Sequence, residues 1–146
     1  MFRGRFVHTI DAKGRMSIPA GFRIEMQTRS EKPPILTNLL NCLALYPHEV
    51  WVEVENRLAQ ASQLRPEVQS IQRFLVSGAT ECPIDGQGRI SIPQYLREYA
   101  ALEREVTIAG VGPRIEFWDK ARFDQDLAAT QDRYHEISSV VASLGL

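Results

Sequence analysis

Two short stretches hold the side chains that could do chemistry. Residues 10–19 read IDAKGRMSIP and residues 84–93 read IDGQGRISIP, with aspartate, glycine and arginine at matching places. In each, a carboxylate stands four residues before a guanidinium: Asp11 before Arg15, Asp85 before Arg89. An aspartate that opens a type I turn accepts from nearby backbone N–H groups, and a glycine at the fourth position takes the left-handed conformation. On this structural reading Asp11, Gly14, Asp85 and Gly88 form the turns. The Asp–Arg pairs then brace them, each exposed pair contributing about 0–1 kcal/mol. The same residues also suit a site. Arginine can bridge guanine O6 and N7, while lysine and further arginines hold phosphates. Arg15 and Lys13, with Arg3 and Arg5 nearby in sequence, would concentrate positive charge on a short ribbon of the kind that fits a DNA groove. The second stretch has Gln87 in place of Lys13, so Arg89 suits either a contact or a purely structural role.

No catalytic constellation competes with these turns. His8, His48 and His135 are scattered and share no recurring partner. The chain has no glycine-rich phosphate loop, paired-cysteine metal site or nucleophile motif. The expectation is therefore a protein that is not an enzyme, with no catalytic residue, cofactor, metal or small-molecule substrate. Cys42 and Cys82 form no CxxC pair, which fits buried free thiols in a reducing compartment.

The elements that must position these turns come from an internal repeat. Residues 8–23 and 82–97 agree at eight of sixteen positions: Ile, Asp, Gly, Arg, Ser, Ile, Pro and a closing Arg. Such a repeat governs the fold assignment. A weaker echo relates LALYPHEVW (43–51) to RIEFWDKARF (114–123), matching Tyr46 to Trp118 and Trp51 to Phe123. Each half predicts a hairpin, with strands Val7–Ile10 and Arg15–Ile18 about the first turn. Side chains alternate along a strand, so Met16, Ile18, Ile90 and Ile92 enter the core while Arg15, Ser17, Arg89 and Ser91 face outward. Pro19 ends the strand and opens a helix. Further strands follow around PILTN and CLALYP, and the second half repeats the pattern through EVTIAG and RIEFW.

Two helices are predicted between the halves. Residues 48–61 carry Val52, Val54, Leu58 and Ala61 on one face; residues 65–79 carry Val68, Ile71, Leu75 and Val76 and stop at Gly78. The segment from Phe123 onward reads as helical. The organisation is a first repeat with its following helix (1–64), a linker helix (65–79) and a second repeat with a C-terminal helix (80–146), forming one compact pseudo-symmetric unit.

Composition agrees with a folded chain of 146 residues, 44% hydrophobic and 24% charged, with net charge −1. The charge is unevenly spread. Residues 1–30 hold six cations against two acids, whereas residues 116–136 hold six acids against three cations. Either the surface is electrostatically one-sided, or the acidic stretch is the wet face of a terminal helix. No run approaches the roughly eighteen apolar residues a membrane helix needs, so membrane association and export are not expected.

The opening MFRGRFVHTIDAKGRMSIPAGFR and the later ECPIDGQGRISIPQYLREYAAL with RIEFWD resemble the MraZ family, whose signature is a repeated DxxxR. The resemblance spans Met1 to about Asp126. It implies an α+β fold, the AbrB-like swapped-hairpin (double-split) β-barrel built from two internal repeats with flanking helices. It implies a sequence-specific DNA-binding transcriptional regulator, a repressor, of the bacterial division and cell-wall gene cluster. The expected partner is double-stranded DNA, as short G-rich direct repeats in the protein's own promoter. The protein would self-associate into a ring, as an octamer, and would be cytoplasmic and nucleoid-associated. Carried over by position, Asp11 and Arg15 form the first DxxxR and Asp85 and Arg89 the second. Arg15 is then the base-contacting residue, supported by Lys13 and Arg3. The alternative from another class is an AbrB/MazE-like protein-interaction or antitoxin-type module, against which two full copies and a mostly globular carboxyl end count.

Overall fold

A computed structural model describes residues 1–146. In chain order it contains β1 (Phe2–Thr9), β2 (Arg15–Ser17), α1 (Ala20–Arg29), β3 (Ile35–Leu39), β4 (Cys42–Tyr46), α2 (His48–Gln60) and α3 (Pro66–Leu75). The second half continues with β5 (Thr80–Glu81), β6 (Arg89–Ser91), α4 (Gln94–Ala100), β7 (Glu105–Gly112), β8 (Arg114–Asp119), α5 (Lys120–Asp132) and α6 (Tyr134–Ser143). Pro19, Pro47 and Pro93 sit at the N-caps of α1, α2 and α4 with extended ψ of 135°, 145° and 150°. A proline there withholds the N–H that would extend the strand, so each strand passes directly into a helix.

All strand pairing is antiparallel, giving an α+β protein with six helices. A six-stranded sheet has the order β1-β7-β8-β4-β3-β5, and β2 pairs with β6 as a separate ribbon. The order reads as a palindrome in the repeats. Between β4 and β8 the ladder matches Leu43 with Phe117, Ala44 with Glu116 and Leu45 with Ile115. Ala44 and Glu116 are equivalent under the weaker echo, so a pseudo-two-fold axis passes between them. The ribbon obeys the same symmetry, with Met16 opposite Ile90, Arg15 opposite Ser91 and Ser17 opposite Arg89.

The hairpin expected at each turn is not formed. β1 pairs along its whole length with β7, and the returning β2 leaves it to pair with β6 of the other repeat. Exchange is favoured because it sets Met16 against Ile90, both buried, in the middle of one ladder. Two copies of one pattern make equally good partners, and periodicity within a copy does not choose between them.

One core of 19 buried residues spans both repeats and joins the ribbon to the large sheet. Met16, Ile18, Ile90 and Ile92 are all buried in it, as the alternation requires, beside Phe2, Leu43, Leu45, Val106, Ile108, Ile115 and Phe117. Each fully buried Leu, Ile or Phe contributes about 1.5–3 kcal/mol. Two satellite clusters lie outside it. Tyr46 meets Trp51 at 5.5 Å between ring centroids, and Trp118 meets Phe123 at 5.7 Å. These are the aromatic pairs matched in the sequence echo, now seen as one strand-to-helix lock used twice.

The linking helices match their expected faces only in part. In α2 the buried residue is Trp51; of the expected face Val54 packs beside it and Leu58 and Ala61 are half-buried, while Val52 is exposed. In α3 no residue is fully buried; Ile71 and Val76 remain exposed, while Leu75 packs on the Tyr46–Trp51 cluster. Side chains of β3 hold α3 instead. Thr37 Oγ1 donates to the Leu75 carbonyl (2.7 Å), and Asn38 Nδ2 donates to that of Phe74 (3.1 Å). These bonds satisfy carbonyls that a helix C-terminus leaves open. The terminal helical segment divides at Arg133 into α5 and α6. No helix is long and apolar enough to cross a membrane.

Candidate nucleic-acid interface

The two DxxxR turns are closed by the same bonds. In the first, Asp11 Oδ1 accepts from the backbone N–H groups of Lys13 and Arg15, both at 2.9 Å. In the second, Asp85 Oδ1 accepts from Gln87 (2.8 Å) and Arg89 (2.9 Å). Gly14 and Gly88 then donate to the carbonyls of Asp11 and Asp85, each at 3.0 Å. These bonds set the charge state. The Arg15 backbone N–H, with help from the Arg15 side chain and the Lys13 N–H, holds the Asp11 carboxyl below the usual carboxylate range. The Arg89 backbone N–H does the same for Asp85, followed by that of Gln87.

Gly14 and Gly88 have φ of 84° and 77°, a conformation that disfavours any Cβ. Space is closed as well: a Cβ on Gly14 would lie 2.6 Å from the Ile92 carbonyl oxygen. The turns are tied into the ribbon by Ile92 N–H donating to the Gly14 carbonyl (2.8 Å) and Ile18 N–H to that of Gly88 (2.9 Å). The exchange that unmade the hairpins thus couples each turn to the other repeat.

Exchange also builds the candidate surface. Because β2 and β6 run antiparallel, the two turns occupy opposite ends of one ribbon. Arg15, Ser17, Arg89 and Ser91 share its outer face, while Met16 and Ile90 point inward. Arg15 and Arg89 are diagonal neighbours, a relation that places Cα atoms about 7–8 Å apart. The Arg15 guanidinium is tethered by a hydrogen bond, whereas Arg89 is held by an ion pair alone, its buried Nε having no hydrogen-bond partner. Arg15 Nε donates to Asp11 Oδ2 at 2.9 Å, and Arg89 Nε lies 3.5 Å from Asp85 Oδ2. The terminal nitrogens of both arginines make no hydrogen bond within the chain, and the side chains remain 41% and 38% exposed. An arginine held by one edge, with its other donors free, is oriented toward an external acceptor. Lys13 is exposed at the tip of the first turn, and Gln87 occupies the same place in the second.

Arg3 and Arg5 are not part of this cluster. They lie on β1, opposite Val111 and Ala109 of β7. Arg3 precedes Asp11 by eight residues, which along an extended strand is on the order of 25 Å. The Arg5 guanidinium instead covers the Phe123 ring at 5.8 Å. Nearness in sequence misleads here because the intervening residues run extended along β1. His8 does join the ribbon, its Nδ1–H donating to the Ser17 carbonyl (2.7 Å). At the matching place Cys82 Sγ donates weakly to the Ser91 carbonyl (3.9 Å).

The acidic stretch is the wet face of terminal helices. Lys120 pairs with Asp124 (2.9 Å) and Arg133 with Glu136 (3.2 Å), all exposed. Its one buried acid, Glu116, receives Arg114 Nε and Nη2 (2.9 and 2.7 Å) and Trp118 Nε1 (3.0 Å). Cys42 and Cys82 are buried free thiols, both pushed up to about 12 by desolvation.

Two residues near the turns were not singled out from sequence. Arg97 donates through Nε to the Ile92 carbonyl (3.0 Å) and through Nη1 to the Ala12 carbonyl (3.2 Å). Arg23, its repeat counterpart, lies against Gly88. The signal was present, since they are the closing arginine of the sixteen-residue alignment.

Comparison with known proteins agrees with these signatures. A family model described as "MraZ protein, putative antitoxin-like" matches the chain twice, over residues 1–74 and 75–139. A relative from Moorella thermoacetica, named Transcriptional regulator MraZ, is 44% identical over 138 residues, covering 94% of each chain. A relative of the same name from Halothermothrix orenii is 41% identical over 146 residues, covering the whole of both chains. Another, from Syntrophobacter fumaroxidans, is 40% identical over 145 residues, 99% of this chain and 97% of that one. The chain belongs to the MraZ family.

Proposed function

We propose that the β2–β6 ribbon and its two turns bind double-stranded DNA, and that the protein is a transcriptional regulator acting as a repressor. Its target would be short G-rich direct repeats upstream of its own gene, in the bacterial division and cell-wall cluster. The observation that carries this reading is the outer face of the ribbon, where Arg15 and Arg89 stand together with terminal donors free. A two-stranded ribbon fits the major groove, and guanidinium donors match guanine O6 and N7. In this reading Arg15 reads a base, and Lys13 beside it and Arg89 across the ribbon strengthen the contact. Arg3 and Arg5 lie too far from Arg15 to share its base step; their part would be phosphate contact elsewhere on the duplex. The shared name of the relatives supports the regulatory role.

Two finer assignments belong to the same proposal. The fold is a swapped-hairpin β-barrel, supported by the departure of β2 from β1 to pair with β6. The assembly is a ring, an octamer. A chain of net charge −1 holds DNA weakly alone, but linked copies along one duplex gain through effective concentration. An antitoxin-type module is the competing reading, favoured by the family description. Against it, residues 120–143 form two helices instead of the unstructured arm such a module would use.

The test is a gel shift on the DNA upstream of the protein's own gene, with Arg15→Ala and Arg89→Ala shown by circular dichroism to remain folded. Loss of the shift with Arg15→Ala supports the reading. Loss with Arg89→Ala as well assigns both turns to the interface. Full binding by both variants rejects it.

A further inference from the structure

Building on the DNA-binding reading, we propose that Arg97 is the positioning residue for the turn at residues 11–14: a side chain of the second repeat that sets where Lys13 and Arg15 of the first repeat stand. The Arg97 guanidinium spans two carbonyls, Ile92 at 3.0 Å and Ala12 at 3.2 Å. Ala12 is the residue immediately before Lys13, and its carbonyl accepts no other bond from the chain. Ile92 in turn donates its N–H to the Gly14 carbonyl at 2.8 Å. The turn, Ile92 and Arg97 therefore form a closed loop of bonds across the two repeats.

Arg97 is itself fixed. It lies on α4, where Leu96 and Ala100 are fully buried, and its own carbonyl accepts from Leu102 N–H at 3.0 Å. Gly14 makes the close approach possible, because a Cβ there would stand 2.7 Å from Arg97 Nε. The side chain is half-buried, has no acidic partner and directs two of its donors inward. It therefore acts on DNA through the turn.

The pseudo-symmetric partner shows the difference between the turns. Arg23 presses its guanidinium on Gly88 but makes no hydrogen bond to residues 85–88. Each turn accepts a backbone N–H from the opposite repeat, but only the one that carries Lys13 also accepts a side-chain bond from it, through Arg97. A group held in one place loses less freedom when it binds, which favours the held turn as the stronger contact.

The test is a double-mutant cycle in duplex affinity, read by fluorescence anisotropy at one salt concentration. Arg97→Ala is expected to weaken binding about tenfold, the scale of a lost charge-assisted hydrogen bond. Arg97→Lys, able to reach one carbonyl but not span both, should recover part of the loss. Arg23→Ala should change affinity by less than about twofold, since no hydrogen bond is removed. In a Lys13→Ala background the further loss from Arg97→Ala should shrink, because the group it places is gone. Fully additive losses would overturn the proposal, as would full affinity in Arg97→Ala while Arg15→Ala abolishes binding. If Arg97→Ala lowers the folded fraction, the same cycle is run with Arg97→Lys, where additivity again counts against it. Undiminished binding by Arg15→Ala and Lys13→Ala would reject the DNA-binding reading and this proposal with it.

Discussion

Replacing Gly14, a buried turn glycine, by alanine should destabilise the fold strongly. The φ of 84° puts an alanine in the left-handed region, at about 1–2 kcal/mol. The added Cβ would also stand 2.6 Å from the Ile92 carbonyl oxygen. That oxygen is backbone, and the Ile92 N–H is already bonded to Gly14, so neither partner can move without loosening the ribbon. Overpacking of this kind costs about 1–3 kcal/mol. The sum is about 2–5 kcal/mol, or a fall of roughly 5–15 °C in Tm for a chain of this length. Gly21 is the control. It lies in α1 with nothing within 4 Å of its Cβ position, so Gly21→Ala should stabilise by about 0.4–1 kcal/mol. Thermal unfolding followed by circular dichroism measures both. Equal Tm values for Gly14→Ala and the unmodified protein would refute the claim that turn and ribbon are locked together.

Three further outcomes follow from the same structure. The carboxyls of Asp11 and Asp85 are depressed in the folded state, so the stability they supply is present above the unfolded value near 3.9 and is lost as pH falls through the folded values. Acid titration should therefore leave stability nearly flat above about pH 5 and lower it below about pH 4, and Asp11→Asn should flatten that acid limb. Cys42 and Cys82, raised to about 12, should resist a thiol-disulfide reagent at pH 8 and react fully once the chain is unfolded; fast labelling of the native protein would show that they are not enclosed. Glu116→Ala leaves Arg114 and the Trp118 N–H without their acceptor and should cost about 3 kcal/mol in chemical denaturation, whereas a change below about 1 kcal/mol would mean water replaces the carboxylate.

Much of the fold was legible because its determinants are local. The Asp and Gly positions fix the turns, alternation buries Met16, Ile18, Ile90 and Ile92, and prolines mark the helix starts. The pairing partner of β2 was not legible, since a strand of three residues fits its own repeat or the other equally well by pattern. The same gap explains the site. Asp11–Arg15 and Asp85–Arg89 could be read from their spacing, but their union on one face depends on the exchange of strands. Arg3 and Arg5 are near the first turn in sequence, but they lie along β1 in its ladder with β7. Arg97 was visible as a repeated arginine, yet its bond to Ala12 joins residues 85 positions apart.

The central claim, that the ribbon formed by β2 and β6 is the DNA-binding surface, is tested most directly by amide hydrogen exchange with and without duplex from upstream of the protein's own gene. Bound DNA should slow exchange at residues 11–17 and 85–91 and leave α3 and α6 unchanged. Protection confined to those helices, with both turns exchanging as in the free protein, would contradict the account.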